Sequence, residues 1–386
     1  MTKPYSFYKR KVKKNTYYYV RFRDPVTDER LAGISTGCTT KADAERFVVD
    51  YIKKGKVQAR SRISFKNFTA GFFDYMTSVF IKRQIDSGAR YSQTYADSNK
   101  GILINHLLPR FGDKLITAIR VVDIEQFMDD IIAQGYGSTT LKNILNALSA
   151  VFSEAYRTEI IPSNPMDRVK RRIPRYQRKG TLPYEVIRRL FIQDEIHDVW
   201  RDNLQHFLFC LTALVTGMRQ GEIQALRWND IKNDHIELQY RWDRKYGLSS
   251  PKYDSIRTIP IPSFLKQLYD GLSTISTSSN EFSDFIFFGK KKGKPIDHKV
   301  INNALYYALN QIGIDTTERI KLNITFHSFR HTFVSLMRNN IDDSQLQQLT
   351  GHKSEDMIDH YMHFSMDNLG GVIPIQDKIF SSLLSA

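Results

Sequence analysis

His327-Ser328-Phe329-Arg330-His331-Thr332-Phe333 spaces a histidine and an arginine three residues apart, so that on a helix the two side chains share one face. His327 and His331 are also spaced to share a metal, but Ser328 stands where a metalloprotease helix needs glutamate. Downstream, 344–349 has a helical pattern that Asp342 can cap, and Gly351 suits the left-handed position just past a helix end. His352 follows, and Tyr361 is the last tyrosine of the chain. Nine residues on a straight helix would put those two side chains on opposite faces, so their convergence requires a bend. Upstream, Thr216-Gly217-Met218-Arg219-Gln220-Gly221-Glu222 supplies a second arginine, with Glu222 placed to orient it on a helix. Two arginines, two histidines and a terminal tyrosine suit attack on a phosphodiester. Guanidinium forks grip phosphate oxygens, and a phenol forms a phosphoester once its proton is removed and the developing charge is held.

The composition points the same way. A chain of 386 residues carries a net charge of +15, with 41% hydrophobic and 25% charged residues. Its length suits two or three domains. The excess of Lys and Arg favours a polyanionic partner, although a solvated basic surface has the same composition. Cys38 and Cys210 stand far apart with no CxxC spacing, which argues against a disulfide scaffold and a thiolate metal site; both read as small buried apolar residues. Neither a signal peptide nor a membrane span is evident, so a cytoplasmic, nucleoid-associated protein is expected.

Three zones and a linker are expected: 1–63, 64–169, a linker over 170–180, and 181–386. The resulting fold class is multidomain, mostly α with small β-sheets. Residues 5–23 and 31–36 read as strands, and 41–54 as an amphipathic helix that Thr39 or Thr40 caps. A three-stranded sheet plus a helix follows. Lys9, Arg10, Lys11, Lys13, Lys14, Arg21 and Arg23 interleave there with Tyr and Phe, a pattern suited to a DNA groove. In the second zone, helices are expected over 68–81, 91–107, 122–132 and 138–158. Pro109 acts as a separator, and Ser138-Thr139-Thr140 cap the last helix. The linker carries Arg171, Arg172, Arg175, Arg178 and Lys179, able to lie along a phosphate backbone. The third zone is mixed α+β, with strands over 235–242 and 255–261. Its Gly289–Pro295 stretch lacks the spacing of a phosphate-binding loop and reads as a basic loop.

The segment 216–228, the HSFRHTF stretch and Leu349-Thr350-Gly351-His352 through Phe364 together resemble the boxes of the tyrosine recombinases, the phage-integrase family. That resemblance implies a helical core-binding domain, a mixed catalytic domain and an N-terminal arm-type DNA-binding domain. It assigns Arg219, His327, Arg330 and His352 to the active site, with Tyr361 as nucleophile. Pro251–Ile261 is similar to the family's hairpin, which makes Lys252 the general acid, although Lys245 lies in the same hairpin. The implied reaction is cutting and rejoining of DNA through a 3′-phosphotyrosine, with no cofactor and no metal, to integrate and excise a phage or mobile element. The implied partners are double-stranded DNA at core and arm-type sites, a homo-tetramer on DNA, and accessory DNA-bending or directionality factors. A type IB topoisomerase and a catalytically inactive DNA-binding regulator are the rival readings. The apolar tail after Gly371 is expected to dock either on its own catalytic domain or on a neighbouring protomer.

Overall fold

A computed structural model describes residues 4–12, 15–23, 30–53, 63–172, 180–192, 196–278, 284–291, 293–351 and 371–384. The chain divides into two compact units, Met1–Tyr176 and Gln177–Ala386.

In the first unit, β1 (Tyr5–Val12), β2 (Asn15–Phe22) and β3 (Ile34–Ser35) form an antiparallel sheet in that order, and α1 (Lys41–Lys53) packs against it. Thr40 Oγ1 caps α1 by accepting the Asp43 N–H at 3.3 Å. The register sets Phe7 opposite Val20 and Tyr5 opposite Phe22, and this face closes on Phe47, Val48 and Tyr51. Side chains alternate across a pleat, so Tyr8, Arg10, Tyr17, Tyr19 and Arg21 share the other face. There the Arg21 guanidinium lies 4.6 Å from the Tyr8 ring centre and Arg10 5.8 Å from that of Tyr19. By the same register Lys9 and Lys11 belong to the helix-covered face, with Lys9 over Tyr18 at 5.2 Å. The pleat thus divides a basic cluster that is continuous in sequence. Arg23 bridges to Arg30, and Lys13 and Lys14 lie outside the described residues.

A separate core joins α2 (Phe65–Phe68), α3 (Val79–Asp86), α4 (Gln93–Ile102), α5 (Leu108–Phe111), α6 (Val121–Ala133) and α7 (Ser138–Arg157) around Phe65, Phe111, Leu145 and Phe152. The single helix expected over 68–81 is broken. Gly71 takes a left-handed conformation at φ 69°, and Ser78 starts a new helix by accepting the Ile81 N–H. Pro109 does not end its helix. A π turn over Leu103–Leu107 realigns the backbone so that the proline falls in the first turn of α5, where its missing N–H leaves no bond unmade. Ser138-Thr139-Thr140 lie inside α7, with Gly137 at the cap position. Of the linker residues, Arg171 donates to Asn146 and Arg172 to Asp129, so both reach back to the bundle. Arg175, Arg178 and Lys179 lie outside the described residues.

The second unit opens with α8 (Tyr184–Leu190) and α9 (Ile196–Trp200), then the central α10 (Leu204–Thr216), which is buried from Phe207 to Thr216. After α11 (Gln220–Gln224), the strand expected over 235–242 becomes two. β4 (His235–Leu238) pairs with β7 (Arg257–Pro260), and β5 (Arg241–Asp243) pairs with β6 (Gly247–Ser249). Helices α12 (Ser263–Ser278), α13 (His298–Gln311), α14 (Thr316–Lys321), α15 (His327–Met337) and α16 (Asp343–Thr350) follow; α12, α13 and α15 pack on α10. Cys210 is buried there, whereas Cys38 of the first unit is only half-buried, its thiol donating to the Thr36 carbonyl. No described helix is long and apolar enough to cross a membrane.

The tail forms α17 (Val372–Leu384) and docks on its own unit. Val372, Gln376 and Phe380 are fully buried. Gln376 Nε2 donates to the carbonyls of Val215 and Pro260, and the Phe380 ring stacks on Phe333. Phe380→Ala should therefore destabilise the second unit by about 3 kcal/mol or more. Urea unfolding checks this, and an unchanged midpoint would mean that α17 is not part of this core.

Candidate active site

Arg219 occupies the cap position before α11, with extended backbone. Its N–H donates to Glu222 Oε2 at 2.9 Å and its Nη1 to Glu222 Oε1 at 2.8 Å, so one carboxylate caps the helix and orients the guanidinium. Glu222 is 1% exposed and also binds Arg257 of β7, which donates from Nη2 to Oε2 at 2.8 Å and from Nη1 to Oε1 at 3.4 Å. A buried carboxylate needs this degree of pairing. Burial alone would raise the Glu222 pKa, but the charge and hydrogen bonds of Arg257, and then of Arg219, pull it from the ordinary 4.5 down to about 2.

Arg330, one turn into α15, is 2% exposed. Its Nη1 donates to the Gly217 carbonyl at 2.8 Å and its Nη2 to that of Thr350. Gly217 ends α10 at φ 65°, and a Cβ there would lie 2.4 Å from the Phe333 ring. Only glycine offers both the left-handed turn and the close approach. Burial draws the Arg330 pKa from 12.5 to about 9; the like charges of Arg219 and Arg257 act in the same direction, and Glu222 opposes them.

The arginines converge on the end of α16. Asp342 caps the start of that helix by accepting the Gln345 N–H at 2.7 Å, and Gly351 ends it at φ 61°. A helix end leaves its last carbonyls without intrahelical donors. Here Leu349 O receives Arg257 Nε at 2.9 Å, Thr350 O receives Arg330 Nη2, and Gly351 O receives Arg219 Nη2 at 3.1 Å. Three consecutive carbonyls are thus held by three different guanidiniums, and cations at a helix C-terminus also meet the favourable end of its dipole.

His327 begins α15, half-buried, its ring edge-on to His331 with centroids 4.8 Å apart. Ser328 holds the start of that helix by accepting the Thr325 N–H. Lys252 is exposed at the start of a short turn between β6 and β7, where its carbonyl accepts the Ser255 hydroxyl at 2.9 Å. The structure therefore brings Arg219, Arg330 and the segment just before His352 together. His352 and Tyr361 themselves lie outside the described residues. Arg257 is absent from the sequence reading. Its signal is an arginine at an inward position of a strand whose neighbours Ile259 and Pro260 are apolar and buried.

Beside α11, a cleft of about 950 Å³ is lined by Arg241, Arg244, Lys290, Lys291, Lys294 and His298, among others. Gln220, next to Arg219, forms part of its wall and donates to the His298 carbonyl and Asn302.

Glu222 supplies a pH-dependent part of the stability. Its carboxyl is depressed in the folded chain, so that contribution is complete above about pH 4.5 and is lost as the pH falls toward 2. Glu222→Gln should lower Tm at neutral pH and flatten its fall between pH 5 and 3; a slope equal to that of the parent would contradict the assignment.

The phage integrase family matches residues 184–368, the whole stretch that carries these groups. The ICEBs1 integrase of Bacillus subtilis (strain 168) is 26% identical over 356 residues, covering 88% of this chain and 90% of the relative. The Tn1549 transposon integrase in complex with circular intermediate DNA shares the fold at a TM-score of 0.58 and 18% identity, covering 76% of this chain and 97% of that one. A lambda integrase tetramer bound to a Holliday junction does so at 0.53 and 20%, covering 88% and 90%. The arginine cluster lies inside the matched segment, so this chain carries a phage integrase domain, the domain of the tyrosine recombinases.

Proposed function

We infer that this chain is a site-specific DNA recombinase of a phage or mobile element, and that Tyr361 is its nucleophile. The observation that carries the reading is the convergence of Arg219 and Arg330 on the residues immediately before His352. On this reading the two guanidiniums clamp the non-bridging oxygens of one scissile phosphate, and His352 donates a hydrogen bond to it. The Tyr361 hydroxyl attacks phosphorus, and His327 assists removal of its proton. The P–O5′ bond breaks, leaving a 3′-phosphotyrosine, and Lys252 protonates the departing 5′ oxygen. A free phenol has a pKa of about 10, so the cationic surroundings are what make it competent. The ester conserves the bond energy, so the reverse attack by a 5′-hydroxyl of another strand completes the exchange without a nucleotide cofactor or a metal.

The face of the N-terminal sheet that carries Tyr8, Arg10, Tyr19 and Arg21 suits arm-type DNA, with 64–169 as the core-binding domain, 170–180 as the linker and 181–386 as the catalytic domain. A homo-tetramer on DNA is supported by the lambda integrase likeness. Accessory DNA-bending or directionality proteins and a nucleoid location belong to the same reading. The basic cleft beside Arg219 then takes the DNA backbone close to the cleaved phosphate.

Incubation with a nicked core site, proteolysis and mass spectrometry should place the DNA adduct on Tyr361 alone. Tyr361→Phe should abolish the adduct and spare binding, while Arg219→Ala and Arg330→Ala should each slow cleavage by about 100-fold or more. An adduct on another tyrosine, or DNA relaxation without strand exchange, would overturn the reading. Replacing Lys290 and Lys294 together by Ala should reduce the slope of log K against log salt by about 0.9 for each phosphate no longer neutralised. An unchanged slope would place the backbone elsewhere.

A further inference from the structure

Arg257 is not among the groups that touch the phosphate in this scheme, yet it contacts the supports of three groups that act on it. Its side chain is 4% exposed. Nη2 and Nη1 reach Glu222, the carboxylate that orients Arg219. Nε donates to the Leu349 carbonyl, in the helix end that leads to His352. Nη1 also lies 3.2 Å from the Ser255 carbonyl and 3.4 Å from its hydroxyl, and that hydroxyl donates to the Lys252 carbonyl. The guanidinium plane therefore links α11, the end of α16 and the turn that carries Lys252.

We propose that Arg257 is a positioning residue that fixes the Lys252 turn relative to the Arg219 clamp, so that protonation of the leaving oxygen and grip on the phosphate are set together. The proposal rests on the reading of Arg219 and Lys252 given above. Lysine cannot replace it, because a single ammonium has no planar fork to address three directions at once. Neutralising the buried Glu222 is a simpler duty for the same arginine, and the two predict different results.

The test is single-turnover cleavage of a nicked core site by the full chain, with three linkages at the cut position: an ordinary phosphodiester, a 5′-bridging phosphorothiolate and a methylphosphonate. Sulfur leaves without a proton, so the second linkage relieves a misplaced Lys252. The third lacks one anionic oxygen and relieves a misplaced Arg219. Arg257→Lys keeps the charge beside Glu222. It should bind the core site like the parent and slow phosphodiester cleavage by about 100-fold, the cost of a misplacement near 1 Å. Each altered linkage should recover part of that loss. Parental rates in Arg257→Lys, or an equal loss on all three linkages, would overturn the proposal. The Glu222→Gln/Arg257→Gln pair covers the case in which the single variant fails to fold, since it removes the buried charges together. If that pair cleaves no slower than Glu222→Gln alone, Arg257 serves only to neutralise Glu222; a further loss beyond that of Glu222→Gln, relieved by the altered linkages, supports positioning. A parent chain that forms no adduct would instead sink the recombinase reading, and this inference with it.

Discussion

Three successive backbone carbonyls at the end of one short helix, each held by a different arginine, are the constraint on which the second unit turns. Leu349, Thr350 and Gly351 would otherwise present acceptors in a largely buried setting, where an unmade hydrogen bond costs about 1–3 kcal/mol. Arg257, Arg330 and Arg219 satisfy them from β7, α15 and the cap of α11. Each arginine is in turn fixed at its other end, by Glu222 or by the Gly217 carbonyl. The arrangement explains two glycines that have no side-chain duty. Gly217 must approach Phe333 closely, and Gly351 must stop α16 in the left-handed region beside Ser255 and Arg257.

Charge balance separates this network from an ordinary buried salt bridge. Three guanidiniums face one described carboxylate; burial lowers the Arg330 pKa, and the like charges of Arg219 and Arg257 add to that lowering. A fold selected for stability alone would supply more acid or fewer bases at this position. Among the described residues positive charge is in excess at this cluster, and donors already held in place need not reorient when negative charge meets them.

Local spacing made much of the site legible. Arg219 and Glu222 are three apart, as are His327 and Arg330, and Gly351 follows a helical pattern that Asp342 caps; each relation lies within ten residues of chain. Arg257 was not legible because its partners lie 35 and 92 positions away and only the folded core joins them. The N-terminal cluster shows the opposite limit. Its Lys and Arg residues are adjacent in sequence, but the period of a strand sends neighbours to opposite faces, so counting charges overstated the single surface they form. In the bundle, Gly71 with Ser78 and the π turn before Pro109 altered helix boundaries without moving the apolar core. Periodicity identifies what is buried more reliably than where a helix stops.

The bonds that close the site span long intervals: Arg219 to Gly351 across 132 positions, Gly217 to Arg330 across 113, and Arg257 to Leu349 across 92. During synthesis, a ribosome that has delivered the first arginine and its carboxylate has delivered only an ion pair. The last carbonyl of the arginine cluster arrives only with residue 351. A chain cut short by arrest or premature termination before residue 351 holds no complete cluster. The order of translation thus ties completion of this cluster to the last part of the chain.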